Sequence, residues 1–358
     1  MEARRGVYEK AKALTGEIKA RKYDEATGAY FKPFKFQEIG IAYGIMTGGQ
    51  EGDTRVLIGD TMGLGKTIQA LGIISVNPEK YLPAIIVCPK NVEYNWMLET
   101  QEWLGHLGVT VENYSNTNQP LPPADVIVIG WGKMGRSDDV LNKVRAYEGD
   151  DGRGIQTMIV DEAHYGKNLK SNRSKEMREV AHAVPNLILL TGTAMENRPA
   201  ELWPLLNAID PVTWPKAKDF VGRYASLDPD ARRGKTAKQL EEMKKTRISS
   251  FGEMVDPDAP AVDAAELLKQ ELECVMIRRL KEDVPEIELP IKTKITYEVD
   301  LRNEDRADYE KFESEIAQYI ALAYKRKLLK EAVKSVKAGS EWSTALATAN
   351  EILSPENL

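Results

Sequence analysis

A glycine-rich loop ending in Gly-Lys-Thr lies between an apolar run and a helical pattern. The glycines of residues 60–67 allow successive backbone N–H groups to turn inward and hold phosphate oxygens. Lys66 can reach the β- and γ-phosphates of a nucleotide, and the Thr67 hydroxyl can bind Mg²⁺. Asp60 stands where the strict pattern has glycine, and the alternative is a chance Gly-Lys-Thr at a helix cap. The strand–loop–helix context favours a site for ATP and Mg²⁺, formed by Gly63, Leu64, Gly65, Lys66 and Thr67.

Two adjacent carboxylates, Asp161 and Glu162, follow another apolar run of the chain. A carboxylate at the end of a buried strand is typical of a Walker B motif, so we expect Asp161 to bind Mg²⁺. Glu162 can then orient and deprotonate the attacking water. The alternative is a helix N-terminus with two acidic residues in its first turn. Taken with the phosphate loop, the pair predicts a hydrolytic centre whose catalytic residues are Lys66, Asp161 and Glu162.

The tripeptide Thr191-Gly192-Thr193 ends a further apolar run. Its hydroxyl groups could sense the γ-phosphate through one of the two carboxylates, although such a tripeptide alone is more often a simple turn. A lone histidine beside an acidic pair is likewise more often structural than catalytic. Beside the two stronger motifs, we assign a coupling role to His164, Thr191, Gly192 and Thr193.

The elements that must position these residues are short, continuous apolar runs separated by helical patterns. Runs of this kind suit strands that are covered on both faces, and their alternation with helices indicates a parallel α/β sheet. Ligands in such sheets bind beyond the carboxyl ends of the strands, which is where the motifs lie. The predicted strands are residues 56–58, 84–88, 126–129, 158–160 and 187–190.

The rest of the chain has weaker sequence signals for helices and strands. Helices are predicted over 11–20, after Phe31, over 264–279 and from Asn303 onward, and a strand is predicted over 295–301. Residues 213–260 carry few apolar runs, many charges and several prolines, which indicates an insertion.

Composition excludes several classes of protein. Apolar residues make up 42% and charged residues 29% of the 358-residue chain, as in ordinary globular domains. The apolar runs are far shorter than the roughly 20 residues of a membrane span, so no membrane partner is expected. The two cysteines are far apart, which argues against a disulfide scaffold and a cysteine-based zinc site and for a reducing, intracellular compartment. The net charge of −6 means that a nucleic acid would need a local basic face.

The three motifs, in this order, resemble those of the Swi/Snf-type ATPases of helicase superfamily two. The resemblance extends from about Phe31 to Tyr297 and includes DTMGLGKTIQA, DEAH and LTGTAMENRPAELW. It also includes VMIRRLKEDV (residues 275–284), which is much more specific to this family than the phosphate loop. The RPAEL and RRLK stretches are most similar to the annealing-helicase, or HARP-type, branch.

The resemblance implies a fold, further site residues and partners. The fold would be a RecA-like parallel sheet flanked by helices, with a mainly helical insertion after the fifth predicted strand. Gln37 in KFQEIGIAYGI would contact the adenine. The expected partner is double-stranded or branched DNA, followed along its backbone, in the bacterial or viral cytoplasm or the nucleus. The implied DNA-binding residues are Pro89, Asn95, Trp96, Gly130 and Trp131.

The sequence departs from the family pattern at Thr61, where an acidic residue is usual, and at Ala194, where proline is usual. Such motors have two RecA-like lobes, and we find no arginine-rich motif of the second lobe in this chain. We therefore expect a second lobe in the parent protein or on a separate chain. The predicted domains are a lead-in (1–30), the ATP-binding lobe (31–210), a helical insertion (211–275), a return to the lobe (276–300), and a linker helix with the start of a second lobe (301–358).

Two basic stretches, within residues 232–247 and 325–337, could follow phosphates, but for each stretch alone a solvated helix face is the better explanation. The sequence thus predicts the first lobe of an ATP-dependent translocase on double-stranded DNA. Three alternatives are a module that binds ATP and DNA but hydrolyses ATP only with a partner, an RNA helicase, and a degenerate scaffold. Intact Lys66, Asp161 and Glu162 argue against the scaffold.

Overall fold

The computed structural model describes residues 7–13, 22–24, 29–47, 52–115, 118–135, 139–149, 151–193, 199–224, 245–246, 262–286, 306 and 309–316. The chain divides into two compact units, Met1–Leu289 and Pro290–Leu358. The second unit is described at residue 306 and in a helical segment, 309–316, inside the helix predicted from Asn303. The elements below belong to the first unit.

The strands in the described residues are β1 (Lys22–Asp24), β2 (Ala29–Phe31), β3 (Arg55–Ile58), β4 (Ala84–Cys88), β5 (Val111–Asn113), β6 (Val126–Gly130), β7 (Thr157–Val160), β8 (Asn186–Leu190), β9 (Lys245–Thr246), β10 (Val262–Asp263) and β11 (Met276–Ile277). The α-helices are α1 (Val7–Ala13), α2 (Lys35–Met46), α3 (Lys66–Val76), α4 (Pro78–Tyr81), α5 (Glu93–Leu104), α6 (Val140–Arg145), α7 (Asn172–Ala183), α8 (Trp203–Ile209), α9 (Ala217–Arg223) and α10 (Ala264–Leu272). Short 3-10 helices span Lys90–Val92, Gly105–Leu107, Trp131–Lys133, Ala163–Gly166, Pro199–Glu201 and Lys281–Asp283.

Seven strands form one parallel sheet in the order β11-β3-β8-β7-β4-β6-β5. This confirms the predicted RecA-like α/β fold. The order decides where the site forms, because the residues that follow β11, β3, β8 and β7 emerge side by side at one edge of the sheet. The phosphate loop follows β3, the Thr191 tripeptide follows β8, and Asp161 follows β7.

The sheet is covered on both faces, which explains the continuous apolar runs. Alternate strand residues such as Ile86 and Ile188 pack on one face with side chains of α2, α3 and α5. Their neighbours, such as Val87 and Leu187, pack on the other face with side chains of α6, α7, α8 and α10. Burial on both faces makes this sheet a rigid frame for the loops at its carboxyl edge.

All five predicted strands are present, but the predicted helix over 264–279 is wrong in its second half. The Asp263 carboxylate accepts hydrogen bonds from Ala265 N and Glu266 N at the start of α10, and the helix ends at Leu272. The chain then becomes β11, because Met276 and Ile277 pair with β3. Predictions that fall outside the described residues are the strand at 295–301, the RPAEL arginine, Ala194, and the two basic stretches apart from residues 245–246. No helix among the described residues is both long and apolar enough to cross a bilayer.

Candidate nucleotide and coupling site

The phosphate loop has the backbone conformation that its glycines predict. Gly63 and Gly65 have φ angles of +85° and +70°, in the left-handed region that other residues rarely adopt. A Cβ on Gly65 would lie 2.3 Å from Nε2 of Gln37, so a side chain at this position would also displace the Gln37 amide. The loop therefore leads directly into the N-terminus of α3, where Lys66 and Thr67 form the first turn.

The Lys66 ammonium lies among acidic groups at the mouth of this loop. Its Nζ donates a hydrogen bond to the carbonyl oxygen of Asp60 at 3.0 Å. Burial lowers the pKa of Lys66, and the nearby charges of Glu162, Asp60 and Asp161 oppose that shift. Lys66 and the acidic pair are thus brought together, as predicted, and a bound polyphosphate would stabilise the charged ammonium further.

The Gln37 side chain forms a hydrogen bond to the phosphate loop. Its Nε2 donates to the carbonyl oxygen of Leu64 at 3.3 Å, and its Oε1 accepts from the backbone N–H of Phe34 at 3.0 Å. The side chain is buried. The adenine contact of Gln37 stays a prediction, whereas its contact with the loop is a direct structural feature.

The acidic pair is held by two indole groups. Asp161 accepts hydrogen bonds from Nε1 of Trp96 at its Oδ2 and from the backbone N–H of Glu162 at its Oδ1, both at 2.9 Å. Its carbonyl oxygen accepts from Nε1 of Trp131 at 2.7 Å. Glu162 itself has φ 48° and ψ 50°, a left-handed backbone that costs a non-glycine residue energy and that clusters at functional sites.

His164 connects the acidic pair to the predicted coupling tripeptide. Its Nδ1 lies 3.0 Å from Oε2 of Glu162 and 3.2 Å from Oγ1 of Thr191. Thr191 Oγ1 in turn accepts from the backbone N–H of Thr193 at 3.1 Å. A Cβ on Gly192 would lie 3.3 Å from Cγ of Met62, so the tripeptide also contacts the phosphate loop. Nδ1 of His164 therefore lies within hydrogen-bond distance of both the Glu162 carboxylate and the Thr191 hydroxyl.

The residues implied to bind DNA do not form one exposed group. Asn95 is exposed on α5, and Pro89 directly follows β4. Trp96 and Trp131, however, are only 2% and 4% exposed, and Gly130 is buried at the end of β6. The two indoles face Asp161, and a DNA contact at these two positions stays a prediction. The side chains instead link α5 and the segment after β6 to the acidic pair.

Sequence reasoning missed a buried ionic network beneath the loop. Arg279 donates from Nε to Oδ1 of Asp60 at 3.1 Å, from Nη1 to the Phe36 carbonyl oxygen, and from Nη2 to Asp60 Oδ2 and to Oε1 of Gln69. Gln69 returns a hydrogen bond to Asp60 Oδ2 at 2.9 Å. Arg279 lies in the RRLK element, so the family-specific motif was the available signal. Asp60, in the position of a missing glycine, anchors this network.

The groups that would hold Mg²⁺ are oxygen donors, as that ion prefers. The Thr67 hydroxyl stands in the first turn of α3, and Asp161 follows β7. In the described part of the chain, no cluster of three or more His, Cys, Asp and Glu side chains could hold a metal. Mg²⁺ usually binds one or two protein groups and takes its other ligands from phosphates and water.

Comparisons with known proteins agree on one family. The sequence profile of the SNF2-related domain matches residues 40–355. The chain is 29% identical over 274 residues to the human DNA annealing helicase and endonuclease ZRANB3, covering 75% of this chain and 22% of that protein. It is 30% identical over 296 residues to a Caenorhabditis elegans homologue of SWI/SNF-related matrix-associated actin-dependent regulator of chromatin subfamily A-like protein 1, covering 78% of this chain and 37% of that protein.

A solved structure, the Sulfolobus solfataricus SWI2/SNF2 ATPase core in complex with dsDNA, has a similar fold. The TM-score is 0.51 at 19% identity, and the match covers 90% of this chain and 58% of that one. The chain spans well under half the length of the two curated relatives above. The comparisons confirm the predicted resemblance to Swi/Snf-type ATPases, with annealing helicases among the relatives.

Proposed function

We propose, because this chain belongs to the SNF2-related domain family, that it forms the first motor lobe of an ATP-dependent translocase on double-stranded DNA. The observation that carries the proposal is the meeting of three groups at one sheet edge. Lys66, the Asp161–Glu162 pair and the His164–Thr191 contact follow adjacent strands and interact with one another. Binding, hydrolysis and sensing of the γ-phosphate require these three kinds of group in one place.

The residues of the site would have different roles in ATP binding and hydrolysis. The backbone N–H groups of the loop and the Lys66 ammonium bind the phosphates. Glu162 orients the attacking water and accepts its proton, and His164 links Glu162 to Thr191. Mg²⁺, which Thr67 and Asp161 would hold, supplies positive charge to the phosphate oxygens. The contacts of His164 with both Glu162 and Thr191 would give the coupling tripeptide a way to respond to the state of the carboxylate.

DNA binding by this lobe would use the segments at the carboxyl ends of β4 and β6. Asn95 is exposed on α5, and the next residue, Trp96, donates a hydrogen bond to Asp161 in the candidate nucleotide site. Because the net charge is −6, we expect affinity for duplex DNA to be weak, independent of sequence and steeply reduced by salt. Strong preference for one sequence in a competition assay would contradict contacts made through the DNA backbone.

A second candidate is a module that binds ATP and DNA but hydrolyses ATP only with a second RecA-like lobe. The observation that favours it concerns Arg279, which lies beside the phosphate loop. Its guanidinium is already engaged by Asp60, Gln69 and the Phe36 carbonyl oxygen, so it is not free to stabilise a transferring phosphoryl group. A supplied arginine is worth about 10³–10⁵ in rate, so its source decides whether the lobe turns over alone.

The test uses the 358-residue chain. Calorimetry should show binding of Mg·ADP that Lys66→Ala abolishes and that the distant surface variant Lys175→Ala leaves intact. ATP hydrolysis is then measured with duplex DNA, single-stranded DNA or RNA, with and without a separately expressed second lobe from a related motor. We expect turnover near background alone and stimulation by duplex DNA once the second lobe is present. Glu162→Gln should keep nucleotide binding and remove that turnover, because an amide cannot accept the proton.

Three results would count against this assignment. Absence of nucleotide binding would refute the site itself. Stronger stimulation by RNA than by duplex DNA would favour the RNA helicase. Robust DNA-stimulated hydrolysis by the chain alone, lost in Lys66→Ala, would show that an arginine within this chain supplies the missing charge.

A further inference from the structure

Lys281 lies at the phosphate loop, although it comes 215 positions after Lys66 in the sequence. The backbone that carries it continues the β11–β3 pairing. Gly59 N donates to the Ile277 carbonyl oxygen at 2.7 Å, and Thr61 N donates to the Arg279 carbonyl oxygen at 3.1 Å. The Arg279 network then fixes this segment against Asp60. The start of the 3-10 helix Lys281–Asp283 is therefore held in register with the loop.

The ammonium of Lys281 lies over the middle of the loop. A Cβ built on Gly63 would be 3.1 Å from Lys281 Nζ and 3.2 Å from its Cε. Gly63 is thus a position at which any side chain would press on this lysine, in addition to the strain of its φ of +85°.

This ammonium has no acidic counterpart in the described residues. None of their hydrogen bonds or ion pairs includes the Lys281 side chain, although it is partly buried. Lys66 differs, since Glu162, Asp60 and Asp161 surround it with negative charge. A partly buried cation beside a glycine-rich phosphate loop is complementary to an anion, and lysine is a common point-charge ligand of phosphate.

We propose that Lys281 binds the nucleotide phosphates held by the loop, as a second ammonium in addition to Lys66. The proposal rests on nucleotide binding at this loop. The RRLK element would then have two roles. Arg279 fixes the loop through Asp60, and Lys281 contacts the bound phosphates beside Gly63.

The test compares Lys281→Met, which keeps most of the aliphatic stem and removes the charge, with Lys281→Arg, which keeps the charge. Lys269→Ala is the matched control, since Lys269 is an exposed lysine of the preceding α10. Calorimetry measures Mg·ADP and Mg·AMP-PNP binding. We expect Lys281→Met to weaken both about tenfold or more, as for the loss of a charge-assisted hydrogen bond, Lys281→Arg to lose about threefold or less, and the control to match the wild type.

A series in KCl separates a charge contact from a structural role. Wild-type affinity should fall more steeply with salt than that of Lys281→Met, because one ionic contact is missing in the variant. A thermal melt unchanged by Lys281→Met shows that the fold is intact. Wild-type affinity and salt dependence in Lys281→Met, with Lys66→Ala inactive in binding, would overturn this inference and leave the proposed function standing. Absence of nucleotide binding by the wild type would overturn both.

Discussion

Replacement of Arg279 by glutamine should destabilise the first unit strongly, because it leaves a buried carboxylate without its cation. Asp60 has no exposed side-chain surface and the Arg279 side chain is 8% exposed. After Arg279→Gln, the side-chain donor left to Asp60 is Nε2 of Gln69, together with the backbone N–H of residue 279. Removal of one partner from a buried pair typically costs about 3–5 kcal/mol.

That cost is large compared with the total stability of about 5–15 kcal/mol of a typical domain. At roughly 2–4 °C per kcal/mol, it corresponds to a fall of about 6–20 °C in Tm. The assay is urea unfolding followed by tryptophan fluorescence, together with a thermal melt. Arg153→Gln is the control, since Arg153 pairs with Asp151 on the surface and should be replaceable without a measurable shift.

A double variant makes the test specific to charge. Asp60→Asn with Arg279→Gln removes both charges and keeps groups that can hydrogen bond, so it should be more stable than Arg279→Gln alone. We expect a coupling energy of at least about 2 kcal/mol between the two positions. A loss below about 1 kcal/mol in Arg279→Gln, or simple additivity in the double variant, would refute the reasoning that the arginine neutralises this buried carboxylate.

Three further predictions concern other buried groups. Trp96→Phe should lower the free energy of unfolding by about 1.5–3 kcal/mol more than Trp103→Phe, because of these two indoles it is that of Trp96 that donates to a carboxylate, that of Asp161. Equal losses in urea unfolding would contradict this. Burial lowers the pKa of His182, so its neutral form stabilises the fold above pH 6.5, and this contribution is lost as the pH falls through the lowered pKa. His182→Gln should therefore lose less stability between pH 7.5 and 5.5 than the wild type. An equal loss in the two proteins would argue against this role of His182. Burial raises the pKa of Cys88 to about 12, so iodoacetamide at pH 8 should modify it only after unfolding, and rapid labelling of the native protein by mass spectrometry would show that the thiol is accessible.

The central strands were predictable because they are buried on both faces. Residues such as Ile86 and Val87 belong to opposite core clusters, and only a continuous apolar run satisfies both. The strand β5 has no such signal, since Val111–Asn113 is short, lies at the sheet edge and includes a glutamate. The strand β11 has only two residues, and its apolar sequence continued the pattern of α10 closely enough to be mistaken for helix.

The candidate site was likewise predictable from the sequence only in part. Local motifs predicted Lys66, Asp161 and Thr191. Asp161 and Thr191 directly follow β7 and β8, Lys66 ends the loop after β3, and the parallel sheet brings these strands together. The partners of Asp161 were not predictable from spacing. Trp96 comes from α5 and Trp131 from a 3-10 helix. Only packing turns the indole N–H of Trp96 toward the Asp161 carboxylate and that of Trp131 toward the Asp161 carbonyl oxygen. Arg279 is farther still, since its partner Asp60 lies 219 positions earlier.

That separation has a consequence for the newly made protein. At a synthesis rate of about 5–20 residues per second, roughly 10–40 s pass between the appearance of Asp60 and that of Arg279 on the ribosome. During this interval β3 lacks its neighbour β11 and presents unpaired backbone groups to any extended segment nearby. The Asp60 carboxylate lacks the guanidinium of Arg279 until the return segment arrives, and the phosphate loop lacks the support of that pair. Nucleotide binding should therefore be among the last properties that the nascent lobe acquires, long after the strands around β4 and β7 have paired.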